Sequence, residues 1–75
     1  MKTRVKEYRQ AHHLTQEQLA KAVAVTARTI ISIEKGQYSP SLMLAYRMAR
    51  LFDTTVEDLC CLAENLEEEL NHETV

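Results

Sequence analysis

Apolar positions along this chain recur at helical spacing, three or four residues apart, and not in strand alternation. Val5 and Tyr8 sit three apart in a segment filled with Lys and Arg, which predicts a first helix over about Thr3 to His12. Leu19, Ala20 and Val23 make one face of a second helix. Its start is marked by Thr15-Gln16-Glu17-Gln18, where the Thr15 hydroxyl can cap the helix and Gln18 can reach back. Ala24-Val25-Thr26 then reads as a turn, with Thr26 as the N-cap of a third helix from Ala27 to Lys35. Ile30 and Ile33 form the inner stripe of that helix. Gly36 follows, where a helix end wants a residue free to take positive φ. Ser39-Pro40 predicts the next start, with Ser as cap and Pro at the first helical position. Leu44, Ala45, Met48, Ala49 and Phe52 give the inward face of a fourth helix ending near Phe52. Thr55, with Asp58 three residues on, opens a fifth helix at Val56. The last stretch, Glu64 to Val75, is acidic and is expected to fray or to prolong the fifth helix.

Composition narrows the class. With one Gly and one Pro in 75 residues, the chain lacks the turn residues that sandwiches and barrels consume, so an all-α domain is expected. A chain this short buries only about 60% of its unfolded surface and has room for one core. The apolar runs reach five residues, against about 20 for a membrane span. The charged N-terminus, MKTRVKEYRQ, has no signal-peptide core, so a cytoplasmic protein without a membrane partner is expected. Cys60 and Cys61 are neighbours and cannot staple distant segments; they read as small buried hydrophobes. His12 and His13 are adjacent and His72 lies in the tail, so no metal and no cofactor is expected. There is no Gly-rich phosphate loop and no nucleophile beside an orienting base, which argues against an enzyme.

Charge changes the picture more. The net charge of −2 conceals a division: residues 1–52 hold all nine cations and three acids, for +6, while residues 53–75 hold eight acids and no Lys or Arg, for −8. Such asymmetry suggests a body that binds a polyanion and an acidic tail.

The informative segment is Gln16 to Lys35: two short helices joined by a three-residue turn. Ala20 is small where two such helices cross closely, and Val25 is an apolar plug for the turn. With Ile30 and Ile33 inside, the 3.6-residue period turns Ala27, Arg28, Ile31, Ser32 and Lys35 outward, as a stripe narrow enough for a DNA major groove. Together with Leu14 to Ala20, Ile33-Glu34-Lys35-Gly36, Tyr38 to Leu42 and Val56 to Leu59, these residues make the chain resemble the lambda-repressor-like (XRE family) helix-turn-helix regulators, especially short stand-alone bacterial ones. The likeness covers residues 1–62. It implies a five-helix DNA-binding domain (helix-turn-helix 16–35) followed by an acidic extension, 63–75.

The resemblance also implies roles. Base-edge contacts fall at Ala27, Arg28, Ile31 and Ser32, with Arg28 suited to guanine O6 and N7; a phosphate clamp is the alternative for Arg28. Gln16, Thr26, Thr29, Lys35, Gln37 and Tyr38 match positions that touch sugar and phosphate, Thr26 being equally readable as a plain cap. Arg9 and Glu34 match a salt bridge between helices 1 and 3. Three residues depart from the family pattern: Ala24 and His13 stand where Gly is usual, and Ile31 is a bulky apolar group on the face toward DNA.

Family members bind as two-fold dimers with half-sites about one helical turn apart. Val56, Leu59, Leu62 and Leu66 form the candidate dimer contact; the alternative for the stripe is a core helix with a frayed end, and Leu66 and Leu70 are left open between the two. The expected function is a sequence-specific DNA-binding regulator, a repressor bound as a homodimer to a palindromic operator in double-stranded DNA. The acidic tail is expected to point away from the duplex. The alternative is an antitoxin or other interaction module of the same fold, holding a protein partner through that tail.

Overall fold

The computed structural model describes residues 1–73, the last two as backbone only. Among them are six helices and no strand: α1 Val5–Ala11, α2 Gln16–Ala22, α3 Ala27–Glu34, α4 Leu42–Leu51, α5 Val56–Leu59 and α6 Leu62–Glu73. The fold is all-α, as expected. Five helices were expected; the sixth arises because α5 stops after one turn and the chain bends at Cys60-Cys61 before starting α6. The segment expected to fray is therefore helical to Glu73, while Thr74 and Val75 lie outside the described residues.

Helix starts follow local capping. The Gln18 N–H donates to Thr15 Oγ1 at 3.0 Å and the Thr15 N–H to Gln18 Oε1 at 2.9 Å, closing the reciprocal box. The Asp58 N–H donates to Thr55 Oγ1 at 3.1 Å. The start of α4 lies two residues beyond the expected cap: Ser41, not Ser39, is the N-cap, and its Oγ accepts from the Leu44 N–H at 3.2 Å. Thr26 occupies the N-cap position of α3 without capping it; its hydroxyl faces Thr29 Oγ1 at 3.3 Å.

Helix ends share one device. Each connection carries one residue with positive φ: His13, Ala24, Gly36, Asp53 and Cys61. After the first four, the next N–H reaches back five residues: Leu14 to Arg9 O, Val25 to Ala20 O, Gln37 to Ser32 O and Thr54 to Ala49 O, all between 2.9 and 3.1 Å. This left-handed closure satisfies carbonyls that the helix end would otherwise leave bare. Only one of these positions is Gly, so Ala24, with φ 61°, accepts strain at the turn on which the helix-turn-helix depends.

The core joins Val5 of α1, Leu19, Ala20 and Val23 of α2, Ile30 and Ile33 of α3, the inner face of α4 with Phe52, and Leu59 with Cys60. Leu59 is wholly buried. Its place in the expected dimer contact is thus corrected: the α5 turn points it inward, leaving no surface for a second chain. Cys60 and Cys61 are free and buried, and burial pushes both thiols up from their ordinary values. α1 is clamped to α5 through Asp58, whose carboxylate accepts from Tyr8 Oη, from Arg4 Nη1 at 2.8 Å and from Thr54 Oγ1 at 3.2 Å.

Candidate nucleic-acid interface

The position of α3 follows from three constraints. Ala20 lets α2 cross α3 closely, Val25 is packed against the core from the turn, and Ile30 and Ile33 anchor the inner stripe. The third constraint is ionic. Arg9 Nε donates to Glu34 Oε2 at 2.6 Å and Arg9 Nη2 to Glu34 Oε1 at 3.1 Å, while Arg9 Nη1 donates to Leu14 O at 2.9 Å. The two side chains are 11% and 5% exposed, so this is a desolvated bidentate pair, and its hydrogen bonds raise the Arg9 pKa. It ties the end of α3 to α1.

Gln16 joins the same network. Its Nε2 donates to Glu34 Oε1 at 3.1 Å, so the side chain expected to meet a phosphate is engaged inward, leaving the Gln16 backbone as the group at the head of α2. No local sequence pattern shows that Glu34, eighteen residues away, takes this amide.

The outer side of α3 and the loop after it form an open concavity of about 440 Å³, lined by Thr26, Arg28, Thr29, Ser32, Gln37 and Tyr38. Six residues expected at the DNA surface are thereby brought together. They offer four hydroxyls, one amide and one guanidinium. Lys35 is exposed but stands outside this concavity, and Ala27 and Ile31 are half-buried, Ala27 against the core. Lys21, Arg28 and Lys35 make no ion pair among the described residues, whereas Glu34 beside them is already neutralised by Arg9. Around α3 the unpaired cations Arg28 and Lys35 are exposed, while Glu34 is occupied by Arg9, which favours attraction of a polyanion.

The acids gather on α6. Lys2 binds its first turn, with Nζ donating to Glu64 at 2.7 Å, and Asn65 exchanges hydrogen bonds with the Lys2 backbone. Glu68 and Glu69 share a cleft with Met1, Ser39 and Asn65, next in sequence to Tyr38. The expected acidic extension thus borders the loop after α3.

Comparison with known proteins agrees with this geometry. Residues 5–59 match the family model described as helix-turn-helix. The chain is 52% identical over 59 residues to a protein of Archaeoglobus fulgidus named an HTH-type transcriptional regulator, covering 79% of this chain and 83% of that one. A protein of the same designation from Methanothermobacter thermautotrophicus is 50% identical over 66 residues, covering 87% and 96%. The HTH-type regulator YgzD of Bacillus subtilis is 44% identical over 64 residues, covering 85% and 97%.

Proposed function

The chain belongs to the helix-turn-helix family, of the lambda-repressor-like (XRE) type, and on that footing we propose that α3 enters a DNA major groove to read an operator. The protein is a DNA-binding transcriptional regulator and not an enzyme. The observation that carries the reading is the concavity of Thr26, Arg28, Thr29, Ser32, Gln37 and Tyr38, with an unpaired guanidinium on a helix narrow enough for the groove. Arg28 and Ser32 meet base edges there. Ala27 and Ile31 offer methyl groups to thymine from half-buried positions. Thr26, Thr29, Gln37, Tyr38, Lys35 and the backbone of Gln16 hold sugar and phosphate, the contacts that fix register.

One domain spans few base pairs, so the reading includes a homodimer on a palindrome, acting as a repressor by blocking promoter access. Val56, Leu62 and Leu66 remain candidates for the dimer contact; Leu62 and Leu66 are exposed, and Val56 is half-buried against the core. No described helix is long and apolar enough to cross a membrane, and a cytoplasmic location fits a DNA-binding role. Selection of bound fragments from random DNA tests the whole reading. Inverted half-sites about 34 Å apart are expected; fragments without shared sequence overturn it.

The exposed leucines of α6 favour a second reading, an antitoxin-like module that binds DNA fully only with a protein partner. Full operator affinity of the purified chain alone counts against that dependence.

A further inference from the structure

The outer side of α4 carries a shallow, open patch of about 520 Å³, lined by Ala22, Met43, Tyr46, Arg47, Arg50 and Leu51. The inner face of α4 already fills the core, yet Met43, Tyr46 and Leu51 are 59%, 48% and 41% exposed on the outside. Both cations of the patch are held in place by neutral groups. Arg47 Nε donates to Val23 O at 3.2 Å, and Arg50 Nη1 donates to Tyr46 Oη at 3.3 Å with its guanidinium 5.9 Å from the ring centroid. Neither has an acidic partner among the described residues. The result is an apolar floor with two positioned positive charges.

The matching surface is on α6. Leu62, Leu66 and Leu70 recur every four residues and are 40%, 55% and 50% exposed. Glu67 and Glu69, both exposed, flank this stripe by the helical period. α6 has 12 residues, a length at which an isolated helix is marginal, and Glu64 and Asn65 tie its first turn to the body. A covering partner for the stripe would stabilise it. Pairing α6 with α6 of a second copy sets acids against acids, because residues 53–75 contain no Lys or Arg. Pairing α6 with α4 sets the same acids against Arg47 and Arg50.

We propose that in the homodimer α6 of each copy lays its leucine stripe on the outer face of the other copy's α4, with Glu67 and Glu69 toward the two arginines. The proposal rests on the homodimer reading above and supplies the counter-surface which that reading lacks. A two-fold axis makes the two contacts equivalent and closes the assembly.

Sedimentation equilibrium of the full chain tests it, with thermal melts to verify folding. Arg50→Glu removes only a surface contact with Tyr46. It is expected to weaken the dimer about tenfold or more, as is the pair Glu67→Lys, Glu69→Lys, because like charges then face each other. Combining all three substitutions restores much of the loss. Leu66→Asp, which changes an exposed side chain, weakens the dimer independently of the arginines. A dimer unmoved by Arg50→Glu overturns the docking and leaves the homodimer standing, whereas a wild-type chain that stays monomeric both free and on DNA overturns both. Tightening by the lysine pair points to α6 against α6, and loss of DNA affinity at unchanged mass makes α4 a nucleic-acid surface; each overturns the proposal.

Discussion

α3 and α6 are both short helices with one exposed stripe, and the protein treats them oppositely. α3 is braced along its length: Ile30 and Ile33 are sunk in the core, and Glu34 is held by Arg9 and Gln16. Its outer stripe is polar and cationic. α6 is tied at its first turn by Asn65 and Glu64, and its outer stripe is leucine flanked by glutamate. The difference teaches what each surface suits. A polar, rigid, cation-bearing ridge gains from a wet, charged groove whose contacts must keep register. An apolar stripe gains from being covered.

Four substitutions separate bracing from surface. The largest effect is expected for Glu34→Ala, which strands the Arg9 charge in a desolvated site and should cost about 3 kcal/mol of stability, read as a fall in Tm. DNA affinity should fall with it, because α3 loses its tie to α1; an unchanged melt would mean that the pair does not brace α3. Next comes Arg28→Ala, on the surface alone. Operator binding should weaken by about 1–3 kcal/mol with relaxed preference at one base position and no change in Tm. A uniform loss across sequences would assign Arg28 to phosphate. Asn65→Ala releases the first turn of α6, where Nδ2 donates to Cys60 O at 2.7 Å, Cys61 O at 3.0 Å and Lys2 O at 2.8 Å. About 1 kcal/mol is expected, with hydrogen exchange quickening in α6 before α3.

The smallest effect concerns pH. The hydrogen bond from Tyr8 and the charge of Arg4 hold the Asp58 carboxyl below the ordinary aspartate value in the folded chain. A depressed folded pKa gives stability that is present above the unfolded value and lost as pH falls through the folded one. Asp58→Asn should therefore flatten the acid side of the Tm-against-pH curve and leave α3-dependent DNA binding intact at neutral pH.

Much of the helix-turn-helix was legible in the sequence because its determinants are local. The Thr15–Gln18 box, Gly36 after α3, and the three-residue turn around Val25 each act within a few residues. Departures came where distance or equivalence decided. Ser39 and Ser41 are both capable caps, and only the chain's path selects Ser41. The bend at Cys60-Cys61 uses neither Gly nor Pro, so a stripe that ran straight through Val56, Leu59, Leu62 and Leu66 is split between core and surface. Gln16 looked free to face phosphate because its partner Glu34 is remote in sequence. The outer face of α4 is not distinguishable in the sequence, because Met43, Tyr46 and Leu51 merge with the core residues in an almost continuous apolar run.

The two thiols at the joint between α5 and α6 give the molecule a built-in clock. Cys60 and Cys61 are its only cysteines, and both are shielded where α6 leaves the body. Cys61 borders a surface cleft, whereas Cys60 lies inside the core, so alkylation of Cys60 reports transient parting of that joint with no label or engineered site required. Any state that fastens α6 down slows the clock, and any state that frees it speeds it.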